Sequence, residues 1–270
     1  MDKRSLINNI KLSDYIESLL RKGSICFTKA EAIKALNTTE LAFMRAAQRY
    51  QKKGILLRPV TGFYVIIEVE HRDAGGPPGI HFLNKLMKYL KLPYYVGMLS
   101  AARFHGATHQ VVMETQVLTL RPLPIIKYGR HRIRFITNKF TEKIPKQTLE
   151  TPHGSILIST PEATLFDLVR YHKKAVGFSH IATIILEMKD KINGKNLLPI
   201  AQIYNDIPIV QRVGFLLDTY GNKKSAIPLQ NWLTDKDIPL VKLNPMSSTK
   251  GDRNLKWSIN INTTIEPDLV

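Results

Sequence analysis

Residues 27–67 read FTKAEAIKALNTTELAFMRAAQRYQKKGILLRPVTGFYVII, and this stretch decides the fold of the N-terminal part. Its apolar residues follow a helical period as far as Gly54 and alternate afterwards, which predicts two helices followed by two strands. The turn sequence between the strands is Pro59–Gly62. The predicted elements are helices at about 29–36 and 39–53 and strands at 55–58 and 63–67. Helix, tight turn, helix and β-hairpin in this order are typical of a winged helix-turn-helix.

Local signals support the start of both helices. Thr28 and Glu31 form a capping-box pattern, because a hydroxyl and a carboxylate three residues apart can satisfy free amide donors at a helix start. We expect Asn37 and Glu40 to do the same for the second helix. Gly54 is expected to close that helix.

The second helix has two different faces. Phe43, Ala47 and Tyr50 share an apolar face that would dock the helix, and a basic, amide-bearing face is left free to enter a major groove. A small three-helix packing unit with a solvated charged face is the alternative interpretation, and the following hairpin favours DNA binding. We predict that Arg45, Gln48 and Arg49 contact base edges. Thr38, Thr39 and Lys52 are expected to contact phosphates, and Arg58 and Thr61 are expected to contact the DNA backbone or the minor groove from the wing.

The charge balance agrees with a polyanionic partner. The chain of 270 residues has 39 Lys and Arg against 22 Asp and Glu, a net charge of +17. The excess is +8 over residues 1–95, +6 over 96–150 and +3 over 151–270. Such a field favours nucleic acid and makes binding depend on salt, although an unrelated basic surface would give the same totals.

Cysteine content and hydropathy limit the class of protein. Cys26 is the single cysteine, so an internal disulfide and a zinc site of paired thiolates are excluded. Its apolar neighbours predict a buried, inert thiol. The N-terminus lacks an apolar signal core and no apolar stretch is long enough to span a membrane, so we expect a cytoplasmic protein.

The rest of the chain predicts a second, larger domain. Residues 73–79 are rich in Gly and Pro and mark a junction between a winged helix-turn-helix domain at 1–72 and a mixed α+β domain at 80–270. The fold class is therefore α+β. The first domain should begin with a helix at 8–22. In the second we predict helices at 80–91, 99–106, from Thr160, 179–190, 196–204 and 208–220, and strands at 116–120, 125–127, 131–136, 155–158 and 255–261.

A second basic segment, IIKYGRHRIRF, covers residues 125–135. On a strand, Arg130, Arg132 and Arg134 would share one face, with Lys127 nearby. This ribbon could extend the DNA footprint, meet an RNA substrate of a toxin, meet an acidic protein, or be a solvated sheet face. We rank extension of the DNA footprint first among the functional interpretations.

Candidate catalytic residues lack the patterns that catalysis needs. His105 and His109 are four residues apart, but Gly106 interrupts the helix and no third metal ligand follows. Ser100 lacks the flanking glycines of a nucleophile elbow. Glu162 and Asp167 fall on different helix faces, and Glu162 suits the start of its helix. We therefore predict no catalytic residue, no cofactor and no metal site.

Four segments of the chain resemble the AbiEi family of antitoxins from type IV toxin–antitoxin systems. The segments are YYVGMLSAARFHGATHQ at 94–110, STPEATLFDLVRY at 159–171, VQRVGFLL at 210–217, and Lys256-Trp257 followed by Asn260. Together with the N-terminal unit, the likeness covers nearly the whole chain in the family's order. The turn Ala175–Phe178 departs from it, being less rich in Gly than the family pattern.

The resemblance implies an autoregulating repressor with an antitoxin function in abortive infection. The N-terminal domain would bind inverted repeats in the promoter of its own operon, with self-association on DNA. The C-terminal domain would counteract an AbiEii-type nucleotidyltransferase toxin, with or without direct contact.

Two other functions stay open at this point. One is a solo winged-helix regulator whose C-terminal domain senses a small ligand. The other is a nucleic-acid enzyme that uses carboxylates such as Asp167.

Overall fold

The computed structural model describes residues 11–107, 113–173 and 177–267. The N-terminal elements follow the predicted order, and β1, which the sequence did not reveal because it has only three residues, pairs antiparallel with β3. β3 also pairs antiparallel with β2, which completes a small sheet. The elements are α1 Leu12–Arg21, β1 Cys26–Thr28, α2 Lys29–Leu36, α3 Glu40–Lys52, β2 Leu56–Val60 and β3 Phe63–Ile66. Residues 8–10 of the predicted first helix lie outside the described residues.

The capping of α2 confirms one prediction and corrects another. The Thr28 hydroxyl accepts a hydrogen bond from the Glu31 amide at 3.2 Å, and the Thr28 amide donates to the Glu31 carboxylate at 2.7 Å. Asn37 does not begin α3 as predicted. It ends α2 in the left-handed conformation with φ 47°, a conformation that asparagine tolerates better than most residues, and Thr39 caps α3 instead.

The remaining elements form a mixed α+β assembly. Short 3₁₀ turns lie at Val69–His71, Gly79–His81 and Lys189–Lys191. The helices are α4 Leu83–Leu90, α5 Met98–Phe104, α6 Pro161–Arg170, α7 Phe178–Met188, α8 Gly194–Tyr204, α9 Ile207–Tyr220 and α10 Lys223–Thr234. The strands are β4 Tyr94–Val96, β5 Glu114–Thr119, β6 Ile126–Tyr128, β7 His131–Thr137, β8 Lys146–Thr151, β9 Gly154–Ser159, β10 Val241–Lys242, β11 Asp252–Asn254 and β12 Ile259–Ile261.

A mixed sheet forms the centre of the molecule. Within the described residues its strand order is β6-β7-β5-β4-β9-β8. β5 runs parallel to β7 and β4 parallel to β9, while the hairpins β6–β7 and β8–β9 are antiparallel. The sheet of the predicted α+β domain is thus mixed.

Alternate residues of this sheet enter two different apolar clusters. Tyr95, Leu118 and Ile136 face the cluster built by α5 to α10. Their neighbours along the strands, such as Val96 and Val117, face the other cluster, which contains α4 and the N-terminal helices. The period-two alternation of the strands therefore decides which helices cover which face.

The junction at 73–79 packs against the β6–β7 turn. A Cβ on Gly75, where φ is 78°, would lie 2.5 Å from the Gly129 Cα, so the two backbones touch. The Arg130 amide donates to the Ala74 carbonyl at 3.0 Å, and the Tyr128 hydroxyl donates to the Pro77 carbonyl at 2.9 Å. This contact brings the second basic segment close to the N-terminal elements.

The C-terminal segment differs from the prediction of one strand over 255–261. β11 ends at Asn254, a turn follows, and β12 begins at Ile259. Trp257 lies in the turn and is fully buried. Among the described residues, no helix is both long and apolar enough to cross a membrane.

Candidate nucleic-acid interface

The apolar face of α3 fixes the helix in the N-terminal unit. Phe43 and Ala47 are buried, and the Phe43 ring packs edge-on against Tyr64 of β3 at 5.3 Å between centroids. The Thr39 hydroxyl accepts a hydrogen bond from the Ala42 amide at 3.3 Å and so caps the first turn. The packing of Phe43 and Ala47 and the Thr39 cap therefore fix the position of α3. The opposite face of the helix is exposed to solvent.

The opposite face of α3 is exposed and basic. It carries Arg45, Gln48, Arg49 and Lys52, all exposed. Leu41 and Met44 are also exposed, at 60% and 41%, and they lie one helical turn before Arg45 and Gln48. The sequence analysis missed these two residues, although an apolar side chain next to a basic stripe is the signal that would have revealed them.

An ion pair with Lys29 neutralises the negative charge of Glu40 at the start of α3. The Lys29 ammonium lies 2.6 Å from the Glu40 carboxylate. The hydrogen bond that Lys29 donates to Glu40 raises the pKa of Lys29 above its ordinary value. The Glu40 carboxylate, which lies beside Thr38 and Thr39 at the start of α3, is therefore paired with Lys29 of α2 and is not a free negative charge.

The β2–β3 hairpin is anchored at its tip to α4. The Tyr89 hydroxyl donates to the Thr61 carbonyl at 3.0 Å, and the Lys29 amide donates to the Gly62 carbonyl at 2.8 Å. Gly62 has φ 81°, and a Cβ there would lie 2.4 Å from the Tyr89 hydroxyl. The side chains of Arg58 and Thr61 stay exposed on a hairpin whose backbone is held in place.

The second basic segment lies beside this hairpin. Arg58 and Lys127 line the same cavity of about 260 Å³ between β2 and β6. Lys127 and Arg132 are direct cross-strand partners, and both are exposed. Arg130 belongs to the turn before β7 rather than to the strand itself. The structure thus brings the two basic sets together, which sequence spacing could not show.

Arg134 differs from the other three basic residues of this segment. Its guanidinium lies 2.8 Å from the Glu114 carboxylate, and its side chain is 37% exposed. The hydrogen bond with Glu114 raises the pKa of Arg134. Because its charge is already paired, Arg134 has less to offer a phosphate than Lys127, Arg130 or Arg132.

The residues considered for catalysis have structural partners. The Ser100 hydroxyl donates to the Glu114 carbonyl at 3.2 Å and accepts from the Gln116 amide at 2.9 Å, which fixes α5 on β5. His105 ends α5, is 5% exposed and lies 2.8 Å from the Ser159 carbonyl through Nε2. Burial is the largest cause that lowers the pKa of His105. His105 is thus packed and hydrogen-bonded at the end of its helix, and His109 lies outside the described residues.

Glu162 and Asp167 of α6 are both buried and do not act as a pair. Glu162 accepts hydrogen bonds from the Asn193 amide at 2.8 Å and the Asn196 side chain at 3.3 Å, which caps α8. Asp167 accepts from the hydroxyls of Tyr95 and Tyr204. Each carboxyl therefore serves a different part of the core.

The segments that carry the family resemblance meet in the interior. A Cβ on Gly214 would lie 2.0 Å from the Trp257 ring, so the glycine makes room for the indole. The Gln211 side chain donates to the Trp257 carbonyl at 3.0 Å, and the indole N–H donates to Asp218 at 3.2 Å. Residues 210–217 and 256–257 are thus one packing unit.

The thiol of Cys26 is buried, and burial raises its pKa to about 11. A thiol with this pKa is almost fully protonated at neutral pH and is a poor nucleophile. The prediction of a buried cysteine is confirmed.

A solved structure with a similar fold exists. The crystal structure of the RV2827C protein from Mycobacterium tuberculosis matches with a TM-score of 0.67 and 14% sequence identity over 92% of this chain and 89% of that chain. A nucleotidyltransferase-like protein from Paracoccidioides brasiliensis covers 56% of this chain and 90% of its own, with a TM-score of 0.35 and 10% identity, a likeness too weak to support an argument. No curated protein sequence matches the chain significantly.

The comparison with protein families gives the identity of the central part of the chain. Residues 95–219 match the family described as the AbiEi antitoxin C-terminal domain. This range begins in β4 and ends in α9, so it includes three of the four segments on which the resemblance depended, up to the Gln211–Gly214 segment. Residues 95–219 therefore carry an AbiEi antitoxin C-terminal domain, which confirms the predicted resemblance to the AbiEi antitoxins over this part of the chain.

Proposed function

We propose that residues 1–72 form a winged helix-turn-helix domain that binds operator DNA, and that the chain represses its own operon. The observation that carries this proposal is the exposed basic face of α3. No acidic side chain within the described residues pairs with Arg45, Arg49 or Lys52, so their charges are available to DNA. The helix order, the capping of both helices and the anchored hairpin support the proposal because they hold that face rigid.

Each residue of the interface would have a definite role. Arg45 and Arg49 would bind guanine edges and Gln48 an adenine edge, because these side chains match those bases with two hydrogen bonds. Leu41 and Met44 would offer apolar contact to thymine methyl groups. Thr38, Thr39 and Lys52 would bind phosphates, and Arg58 and Thr61 would bind the backbone beside the hairpin.

The second basic set would extend this footprint. Lys127 lies across a shared cavity from Arg58, and Arg130 and Arg132 continue the charge along the β6–β7 hairpin. We assign phosphate contacts to these three and exclude Arg134, because it is paired with Glu114. Contacts of this kind raise affinity for any sequence and increase the salt dependence.

The antitoxin function would belong to residues 80–270. The match over residues 95–219 supports this assignment, and the functional partner would be a nucleotidyltransferase toxin of the AbiEii type. Ser100, His105, Glu162 and Asp167 are all occupied by structural contacts, so we assign no catalytic step to them. In this proposal the chain is an antitoxin and regulator and not an enzyme.

The deciding experiment is a gel-shift titration of the purified chain on its own upstream region, with scrambled DNA beside it at about 150 mM salt. The variant Arg45→Ala/Arg49→Ala should lose sequence-selective binding. The matched control is Lys195→Ala/Lys224→Ala, which removes two exposed cations from α8 and α10. Equal binding to both DNAs, or equal losses in the two double variants, would refute base reading by α3.

Self-association on DNA follows from the inverted-repeat arrangement. Two protomers would occupy two half-sites, so occupancy would rise steeply with concentration. Analytical ultracentrifugation with and without operator DNA measures this directly. One protomer bound to a complete repeat would contradict it.

The antitoxin part can be tested separately from DNA binding. The chain would be expressed together with a nucleotidyltransferase toxin of the AbiEii type, and growth recorded with promoter control removed. Arg45→Ala/Arg49→Ala should protect growth as well as the unchanged chain does, because those residues lie outside 95–219. Failure of the unchanged chain to protect growth would refute the antitoxin role while leaving the DNA-binding proposal untouched.

A ligand-sensing regulator is the second candidate, and one cavity favours it. A space of about 620 Å³ lies between α9 and the C-terminal segment, lined among others by Phe215, Tyr220, Leu243 and Ile261. This volume is in the range of small-molecule sites. Protection of growth in the toxin experiment would decide against this candidate.

A further inference from the structure

Four histidines and two glutamates gather where the N-terminal unit meets the central sheet. They come from the segment after β3, from the turns at Val69–His71 and Gly79–His81, from the start of β7 and from the β8–β9 turn. The members of this histidine cluster are Glu68, Glu70, His71, His81, His131 and His153. None of them contributes to the interface described above.

The distances in the cluster suit a single cation. Glu68, Glu70 and His71 each place one ligand atom so that all three atoms lie within 4.8 Å of one another. His153 is not part of that set of three, but its Nε2 lies 3.0 Å from the Glu68 carboxylate. The His81 ring lies between those of His71 and His153, at 5.6 and 5.4 Å between centroids.

Coordination by these residues would require movement of their side chains. Ligand atoms about 2.1 Å from a tetrahedral zinc ion are about 3.4 Å from each other. The side chain of Glu70 is 74% exposed and that of His71 is 21% exposed. Rotation of the Glu70 side chain, which solvent leaves free, would close the remaining gap.

Several polar atoms of the cluster lack a partner. Glu68 Oε2, His81 Nδ1 and His131 Nε2 are buried and accept or donate no hydrogen bond within the described residues. Glu68 Oε2 is close to His153 Nε2, but the two are not aligned as donor and acceptor. Buried polar atoms are nearly always satisfied, and a bound ion is one kind of partner that would satisfy such atoms.

His153 is also oriented as a metal-ligating histidine usually is. His153 Nδ1 lies 3.4 Å from the Gly23 carbonyl, so donation from Nδ1 leaves the Nε2 lone pair directed at the cluster.

We propose that this cluster binds one divalent transition-metal ion of the zinc type, through Glu68, Glu70, His71 and His153. Two carboxylates and two imidazoles neutralise a dication and form a mixed N/O set that favours zinc, cobalt or nickel over magnesium or calcium. His81 stands beside the site as a fifth donor.

The ion would connect separate parts of the chain. Glu68, Glu70 and His71 follow β3 of the N-terminal unit, His153 belongs to the β8–β9 turn, and its other nitrogen faces Gly23 after α1. Metal binding would therefore fix the N-terminal unit on the sheet and hold α3 and the β6–β7 hairpin in one arrangement. The site does not depend on whether the chain binds DNA.

The test is a titration of the full chain, freed of metal by a chelator, with cobalt(II) and then zinc(II). We expect one equivalent of cobalt with visible d–d absorption that zinc displaces. Zinc at a hundredfold excess over its Kd should raise Tm by roughly 5 °C or more. No absorption and no rise in Tm would refute the site.

Variants identify the ligands. Glu70→Gln and His71→Gln should each weaken metal binding by roughly tenfold or more, as loss of a metal ligand or its support does. Glu70 is mostly exposed, so its variant keeps the fold, which circular dichroism without metal confirms. The matched controls are Glu150→Gln and His172→Gln, outside the cluster. Equal affinity in all four variants would show adventitious binding and overturn the proposal.

One measurement needs no variant at all. Nitrogen-15 spectra of the histidine side chains should show zinc shifting the signals of His71 and His153 and leaving that of His172 in place. Shifts confined to histidines outside the cluster would also overturn the proposal.

Discussion

The buried carboxyl of Asp167 should make stability depend on pH in the opposite direction to most carboxylates. Asp167 is fully buried. One oxygen accepts hydrogen bonds from the Tyr95 hydroxyl at 3.1 Å and the Tyr204 hydroxyl at 2.8 Å, while Oδ2 has no partner within the described residues. Burial raises the pKa of Asp167 to about 7, and the two tyrosine hydrogen bonds and Arg170 only partly oppose this.

The sign of the effect follows from proton binding. The folded protein keeps the Asp167 proton up to about pH 7, whereas an unfolded chain releases it near the ordinary pKa of 3.8. Between these values the native state binds more protons, so the free energy of unfolding falls as pH rises. The stabilisation is fully present below pH 3.8 and is lost as pH rises through about 7. The displacement of the pKa corresponds to roughly 4 kcal/mol.

The assay compares the unchanged chain with Asp167→Asn by urea unfolding from about pH 4 to pH 8. Asparagine keeps the oxygen that accepts from both tyrosines but has no charge to lose. Relative to the unchanged chain, the variant should therefore gain roughly 4 kcal/mol of unfolding free energy across this range. Taking the difference in unfolding free energy between the two proteins at each pH cancels the contributions of all other titrating groups.

Asp218→Asn is the matched control. Burial acts to raise the pKa of Asp218, but hydrogen bonds from Lys256 and Trp257 outweigh it and the pKa is lowered. Stability from Asp218 is therefore present above its unfolded pKa and lost only as pH falls below it. The difference in unfolding free energy between Asp218→Asn and the unchanged chain should therefore stay constant from about pH 4 to pH 8. The reasoning about Asp167 fails if the Asp167→Asn difference is flat as well.

Three further substitutions test other parts of the structure. Gly214→Ala should lower the free energy of unfolding by roughly 2 kcal/mol, because the added methyl group overlaps the Trp257 ring. An unchanged free energy of unfolding in urea would contradict that packing. Thr28→Ala removes the cap of α2 and should cost about 1 kcal/mol in the same assay, with Thr148→Ala, an exposed threonine of β8, as the neutral control. Lys127→Ala should weaken DNA binding without changing sequence preference and reduce the salt slope by about 0.9; a changed preference would mean that Lys127 contacts bases.

The sequence was most informative where local chemistry decides the structure. The Thr28 capping box, the helical period through α3 and the turn at Thr61 and Gly62 are all local signals, and these elements form where predicted. Local reasoning failed at Asn37, since a residue between two helices can end one or begin the other. The choice was made by Thr39, whose hydroxyl caps α3.

Contacts between distant parts of the chain were out of reach of that reasoning. A two-residue pairing such as β10 with β12 has no period to detect. The approach of Arg58 to Lys127 depends on how the hairpin packs on β6. The histidine cluster was missed for the same reason, because its members are spread from residue 68 to residue 153 without a ligand spacing that a single segment would reveal.

The residues that carry the family resemblance and the residues proposed to choose the operator lie in different environments. Gln211, Gly214 and Trp257 are interior and hold one another, so a change in one requires changes in the others. Arg45 and Gln48 are exposed and support no core contact, so replacing them costs little stability. A fold shared with another protein at 14% identity is consistent with this division. The interior thus constrains what kind of protein the chain is, while the exposed face of α3 remains free to change the DNA sequence it would read.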